Sequence, residues 1–280
     1  MPLTTSDELR PWAAAIREQV LSRRMPKWHA ARGYGAFVND PTLTPYEQAV
    51  WISWIDAGMP EGTPRGATAA RPTIRFAPRS EAETAIEIPV PARGDLGRAA
   101  GARADWITGW SFSPGDPLIT AAVVSVDGAP VGTWVAGDRP VWLPQGTGFR
   151  SGARIRVDVR RRAMAANERL YVPRRSVLTL IANGTAALRR AWTEQVACSA
   201  LRTGPPAELL AVRPLLDKSE ARLSVARPGA PAAIVGWFRD FDPLYPRTYW
   251  LLRPIEMGPD ARLAGDGPCR VELTRATARR

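Results

Sequence analysis

A chain of 280 residues, 45% hydrophobic and 23% charged, is long enough for one to three domains with their own cores. Its 38 Lys and Arg outweigh 27 Asp and Glu for a formal charge of +11. The arginines form no long run interleaved with aromatics, so nucleic acid is not the expected partner. No stretch approaches ~18 consecutive apolar residues, so no membrane-spanning helix is expected, and MPLTTSDELRPW has neither the basic nor the apolar region of a signal peptide, which at face value places the chain in the cytoplasm.

The first 62 residues read as helical. Ser6-Asp7-Glu8-Leu9 supplies a polar cap and first-turn acids, with Pro11 near the start. Trp12, Ile16 and Val20 then recur at helical spacing until Pro26. Thr44 followed by Glu47 has the spacing of a capping box. Tyr46, Val50, Trp54 and Ile55 predict a second amphipathic helix, ended by Gly58 and Pro60. His29, the only histidine, is read as a loop residue, because a lone imidazole makes no metal site. Met25 is read as a hydrophobic plug.

Residues 61–70, EGTPRGATAA, form a small-residue linker. Strands are predicted at 73–76, 85–90, 118–126, 153–159, 170–172 and 177–182. The run 118–126 stops at Asp127-Gly128, a hairpin-turn dipeptide. In the run 153–159, Ile155, Val157 and Val159 alternate with Arg154, Arg156 and Asp158, which gives one dry and one wet face. Residues 186–196 fit helix or strand, and a second sandwich is predicted to begin near Glu208. Trp106, Trp110, Trp134 and Trp142 are read as core residues rather than the lining of a cleft. Cys198 and Cys269 are too far apart for a CxxC motif and form one disulfide or stay as two buried thiols, depending on compartment.

The residues 113–116 (SPGD), 132–140 (GTWVAGDRP), 143–148 (LPQGTG) and 151–154 (SGAR) resemble the first copper domain of the copper type II, ascorbate-dependent monooxygenases, the peptidylglycine hydroxylating group. Arg10-Pro11-Trp12, residues 22–28 (SRRMPKW) and 54–58 (WIDAG) are similar to the cytochrome c-like segment that precedes the copper domains in bacterial members. Ala211-Val212-Arg213-Pro214, residues 241–245 with Tyr249, and residues 257–263 are similar to the second copper domain. The resemblance implies two antiparallel jelly-roll β-sandwiches after a short helical cytochrome c-like remnant: residues 1–62 helical, 63–72 linker, 73–205 first sandwich and 206–280 a shortened second one.

The family's chemistry runs on copper and haem c. Its first copper site takes an adjacent histidine pair and a third histidine, and Ala121, Ala122 and Arg160 stand at those positions. Leu215 and Asp217 stand where the second site has its His-x-His. A methyl has no lone pair and a guanidinium has no free one, so neither can replace imidazole on copper. The resemblance makes Met25 the axial haem ligand, but the Cys-x-x-Cys-His of covalent attachment does not occur in the sequence. In the family that motif lies just upstream of the equivalent of Met1-Pro2-Leu3, so either the start has been placed too far downstream or the haem helix has been lost. No catalytic residue and no cofactor is expected from this chain. The expectation is a non-catalytic relative that binds or assembles with a protein partner. The alternatives are a copper- and ascorbate-dependent monooxygenase and a haem electron-transfer protein; the family also implies a periplasmic or exported location if the true start lies upstream.

Overall fold

The computed structural model describes residues 6–62, 76–90, 105–152, 154–164, 172–184, 187–197, 206–216, 220–243, 245–266 and 270–278. The chain divides into two compact units, Met1–Trp28 with Asp40–Arg75, and His29–Asn39 with Phe76–Arg280.

The first unit is helical. It contains α1 (Ser6–Leu9), a 3-10 turn (Arg10–Trp12) begun around Pro11, α2 (Ala13–Leu21) and α3 (Pro45–Asp56). The capping box forms as predicted: Thr44 Oγ1 accepts from the Glu47 amide at 3.2 Å, and the Glu47 carboxylate accepts from the Thr44 amide at 2.8 Å. Gly58 closes α3 in the left-handed region at φ 79°. The Gly58 amide donates to Ile55 and the Met59 amide to Trp54, the paired bonds of a Schellman turn. Gln48 Nε2 donates to the Val20 carbonyl of α2 at 3.1 Å, and Arg17 pairs with Asp56 at 2.8 Å. Of the predicted apolar stripe, Ile55 is buried, but Tyr46 and Val50 are not. Tyr46 is 78% exposed and Val50 49%. Among the described residues of this unit, Ile55 and Met59 alone are buried.

The second unit is all β. Its strands are β1 (Glu83–Val90), β2 (Trp106–Ser113), β3 (Ile119–Val126), β4 (Ala129–Val135), β5 (Val141–Trp142), β6 (Thr147–Arg150), β7 (Ile155–Arg161) and β8 (Ser176–Asn183). After them come β9 (Arg189–Ala197), β10 (Ala207–Leu215), β11 (Ala221–Arg227), β12 (Ala230–Phe238), β13 (Tyr249–Met257), β14 (Arg262–Gly265) and β15 (Arg270–Thr277). One nine-stranded sheet has the order β1-β8-β2-β6-β9-β15-β10-β13, with β5 beside β2, and two three-stranded sheets have the orders β4-β3-β7 and β12-β11-β14.

These orders repeat. Strands β1-β8-β2-β5/β6 with β4-β3-β7 follow a jelly-roll path, and β9-β15-β10-β13 with β12-β11-β14 follow the same path again. The two motifs join edge to edge where β6 runs parallel to β9. By strand order the second motif starts with β9, earlier than the residue 206 predicted, and the ladder from β9 to β15 runs across that boundary.

Packing confirms the layers. Phe112 of β2 meets Trp134 of β4 at 5.1 Å, and Phe238 of β12 meets Tyr249 of β13 at 4.6 Å. Strands β10 and β15 are buried along nearly their whole length. The register puts Ala211 and Ala276 on the face that joins the core of Val124 and Val157. Val212 and Leu273 lie on the other face, with Tyr249. A strand wet on neither side loses the period-two alternation, as Ala207–Leu215 does, with Leu209, Leu210, Ala211 and Val212 in an unbroken apolar run.

Most predicted strands appear with shifted ends, and Asp127-Gly128 closes the β3–β4 hairpin with both φ angles positive, 49° and 84°. Three outcomes differ from the sequence reading or complete it. Strand β2 has no prediction because Gly109 and two serines interrupt its pattern. The ambiguous 186–196 run resolves as β9, paired on both sides. Val172 is loop and 89% exposed, while the rest of the predicted 170–172 strand, like the 63–72 linker, lies outside the described residues. Gly132 is required by the fold: a Cβ there would stand 2.6 Å from the Trp110 ring.

Residues 29–39 strap the second motif. Ala30 bridges to Phe238 of β12 and Phe37 to Leu251 of β13. The Asn39 side chain exchanges hydrogen bonds with the Thr248 carbonyl and the Trp250 amide, at 2.8 and 3.0 Å. Strands β12 and β13 are each the edge of their sheet, so the strap satisfies backbone groups that would otherwise template another chain.

Candidate functional site: the seam between the two jelly rolls

The antiparallel register of β3 and β7 sets Ala121 directly opposite Arg160 and Ala122 opposite Val159. Of the three positions that the resemblance assigns to the first copper site, Ala121 and Arg160 thus meet across the two strands. Arg160 shares a face with the Ala121 methyl, 1% exposed, while the Ala122 methyl, 0% exposed, points to the opposite face and into the core. Arg160 reaches away from the strand and donates from Nη1 to the Pro243 carbonyl of the second motif, at 3.3 Å. This donor set does not fit copper. Among the described residues, no group of three or more His, Cys, Asp or Glu could hold a metal ion.

Beside this pair lies a buried ion pair that links the motifs. After β4 the chain turns at Ala136–Asp138, where the Asp138 amide donates to the Val135 carbonyl at 2.8 Å and Asp138 Oδ2 accepts from the Val135 amide at 2.9 Å. Arg247, from the segment before β13, places Nε 3.1 Å from Asp138 Oδ1, with the two side chains 4% and 9% exposed. That contact has ion-pair distance without hydrogen-bond alignment, and Oδ1 has no hydrogen bond. Burial pushes the Asp138 carboxyl up to about 6, although the Arg247 charge and the Val135 amide pull the other way. Arg247 also donates weakly from Nη2 to the Ala136 carbonyl at 3.5 Å. Asp116 and Arg161 satisfy each other nearby at 3.1 Å.

The other predicted site residues are scattered. Met25 is 46% exposed in the helical unit and plugs nothing. His29 is a loop residue, as read, and a buried one at 7% exposed, with Nδ1 3.2 Å from the Tyr249 hydroxyl and its ring 5.6 Å from Phe241. Leu215 ends β10 opposite Arg270. Asp217, Cys198 and Cys269 lie outside the described residues. Trp106, Trp110 and Trp134 are 5%, 1% and 6% exposed, so they belong to the core.

Three more ion pairs tie the central strands: Arg213 with Glu272 at 2.5 Å, buried on both sides, and the partly exposed pairs Arg189 with Glu208 at 2.7 Å and Arg275 with Glu194 at 3.0 Å. A cavity of about 200 Å³ bordered by Ala207, Glu208, Glu256 and Met257 is smaller than the ~300–1,000 Å³ usual for ligand sites.

No family model and no curated protein matches the sequence. Among solved structures, the major capsid protein P2 from Bacteriophage PM2 is similar at a TM-score of 0.30 and 12% identity, over 70% of this chain and 99% of that one. A likeness of that degree says nothing about the seam.

The sequence does not reveal the Asp138–Arg247 pair. Its one signal was Asp138 within the turn-like Ala136-Gly137-Asp138; nothing marked Arg247 as its partner, because the two are joined only by the packing of one motif on the other.

Proposed function

We propose that this chain is a non-catalytic relative of the copper- and ascorbate-dependent monooxygenases that works by binding or assembly with a protein partner. The observation that supports it is the cross-strand placement of Ala121 against Arg160. In the family this place holds imidazoles; here a fixed positive charge sits across from the buried Ala121 methyl and is directed to a backbone carbonyl. Cuprous or cupric ion needs several nitrogen or sulfur donors converging on one point, and a guanidinium opposes a cation there. Arg160 instead ties the first β-sandwich to a backbone carbonyl of the second. Such a body presents large fixed surfaces, which suits assembly.

The test is metal analysis of purified protein after copper loading and desalting, with oxygen uptake measured in the presence of ascorbate. The expected result is less than stoichiometric copper and no ascorbate-dependent uptake. Two tightly held coppers per chain, or uptake above the free-copper control, would sink the proposal.

A further inference from the structure

We propose that residues 242–243 and 245–248 are a latch between the two jelly rolls, closed through Asp138 and Arg247 and through Arg160. The geometry carries this. Two separate contacts leave one short segment of the second motif and land on the first: Arg247 on Asp138 and on the Ala136 carbonyl, and Arg160 on the Pro243 carbonyl. Both anchors on the first motif lie at the ends of its smaller sheet, outside the core. Arg247 and Thr248 are 3% exposed, so opening the latch would release a buried charge to water.

Such a latch responds to pH, with a sign fixed by Asp138. The charged and titratable side chains on the segments meeting here are Arg247, Asp242 and Tyr245 on the latch, Arg139 on the turn of Asp138, and Arg160 from β7. The Asp138 carboxyl rises from 3.8 in water to about 6 in the closed site, because burial outweighs the attraction of Arg247. The closed state therefore takes up a proton more readily than the open one. Its added stability is fully present below pH 3.8 and is lost as pH rises through about 6. Acid tightens the latch, with Arg247 then held by the Ala136 carbonyl rather than by a carboxylate charge, and neutral pH loosens it.

Hydrogen exchange of the whole chain, corrected for intrinsic rates, tests this. The reporters are the Arg247 amide, which donates to Tyr245 within the latch, and the amides of Val135 and Asp138, which hold the turn that Arg247 lands on. Val124 and Val157 in the neighbouring core are the controls. The expected result is a roughly tenfold loss of protection at the reporters between pH 5 and pH 8, with the controls steady. Asp138→Asn, which cannot titrate, removes that difference. Arg160→Ala, an exposed change, lowers reporter protection at both pH values without moving the controls. Equal reporter protection at both pH values in the unaltered protein overturns the proposal. So does a parallel change at Val124 and Val157, which would show the whole fold yielding rather than a latch.

Discussion

The helical unit and the β unit teach opposite lessons about what makes an element. Helix α3 carries nearly every local device: a capping box, a proline in its first turn and a Schellman turn at Gly58. Yet it buries little beyond Ile55. Strands β10 and β15 show few local signals, and a bulge interrupts their ladder at Leu209–Ala211. They are nevertheless buried on both faces and serve two cores. Local chemistry defines where α3 starts and stops, whereas packing decides what β10 and β15 are. Helices gain most of their stability in proteins from burying a face, so the two regions should respond differently to substitution.

The largest effect is expected in the doubly buried sheet. Arg213 and Glu272 face each other across β10 and β15, with side chains 8% and 2% exposed. Arg213 Nε and Nη2 meet both carboxylate oxygens, at 2.9 and 2.5 Å. Removing one partner strands the other charge in a dry layer. Arg213→Ala should cost about 3–5 kcal/mol in denaturant unfolding followed by tryptophan fluorescence. Replacing both, as Arg213→Met with Glu272→Leu, should recover most of that loss. A single substitution costing under ~1 kcal/mol would mean that water reaches the pair, and the contrast between the two regions would weaken.

That asymmetry also explains how much was legible. The Asp127-Gly128 turn, the Ile155/Val157 alternation and the Thr44–Glu47 cap are written in neighbouring residues, and each forms as read. The mainly β, sandwich-like fold was visible for the same reason. The seam was not. Arg160 pairs with Pro243 and Asp138 with Arg247 only because one jelly roll is folded against the other, and neither residue type carries its partner's address. Strand β2 was missed because a glycine that lets a neighbouring backbone approach looks, in sequence, like a loop. At Gly109 a Cβ would stand 2.9 Å from the Val141 carbonyl. The apolar spacing of Tyr46 and Val50 was misread as a buried face because helical periodicity shows that a stripe exists, not that anything covers it.

Two smaller effects sharpen the contrast from the helical side. Thr44→Ala removes the acceptor for the Glu47 amide and half of the capping box. The expected loss is about 1 kcal/mol, read as exchange of the Glu47 and Gln48 amides several-fold faster, with the β3 amides unchanged. Helix α3 should therefore depend on its cap more than on any single apolar side chain it displays.

Val50→Ser checks that last point with the smallest expected change. Val50 is 49% exposed and lies away from the side of α3 that meets α2. Exposed substitutions remote from caps and cores usually fall within about 0.5 kcal/mol. Serine has nearly the helix propensity of valine, so the helix itself should be indifferent. Amide exchange along α3 should accordingly match that of the unaltered chain. A loss well above that range would mean that Val50 is covered in solution, and the helical unit would then owe its stability, like β10 and β15, to a packed face rather than to its ends.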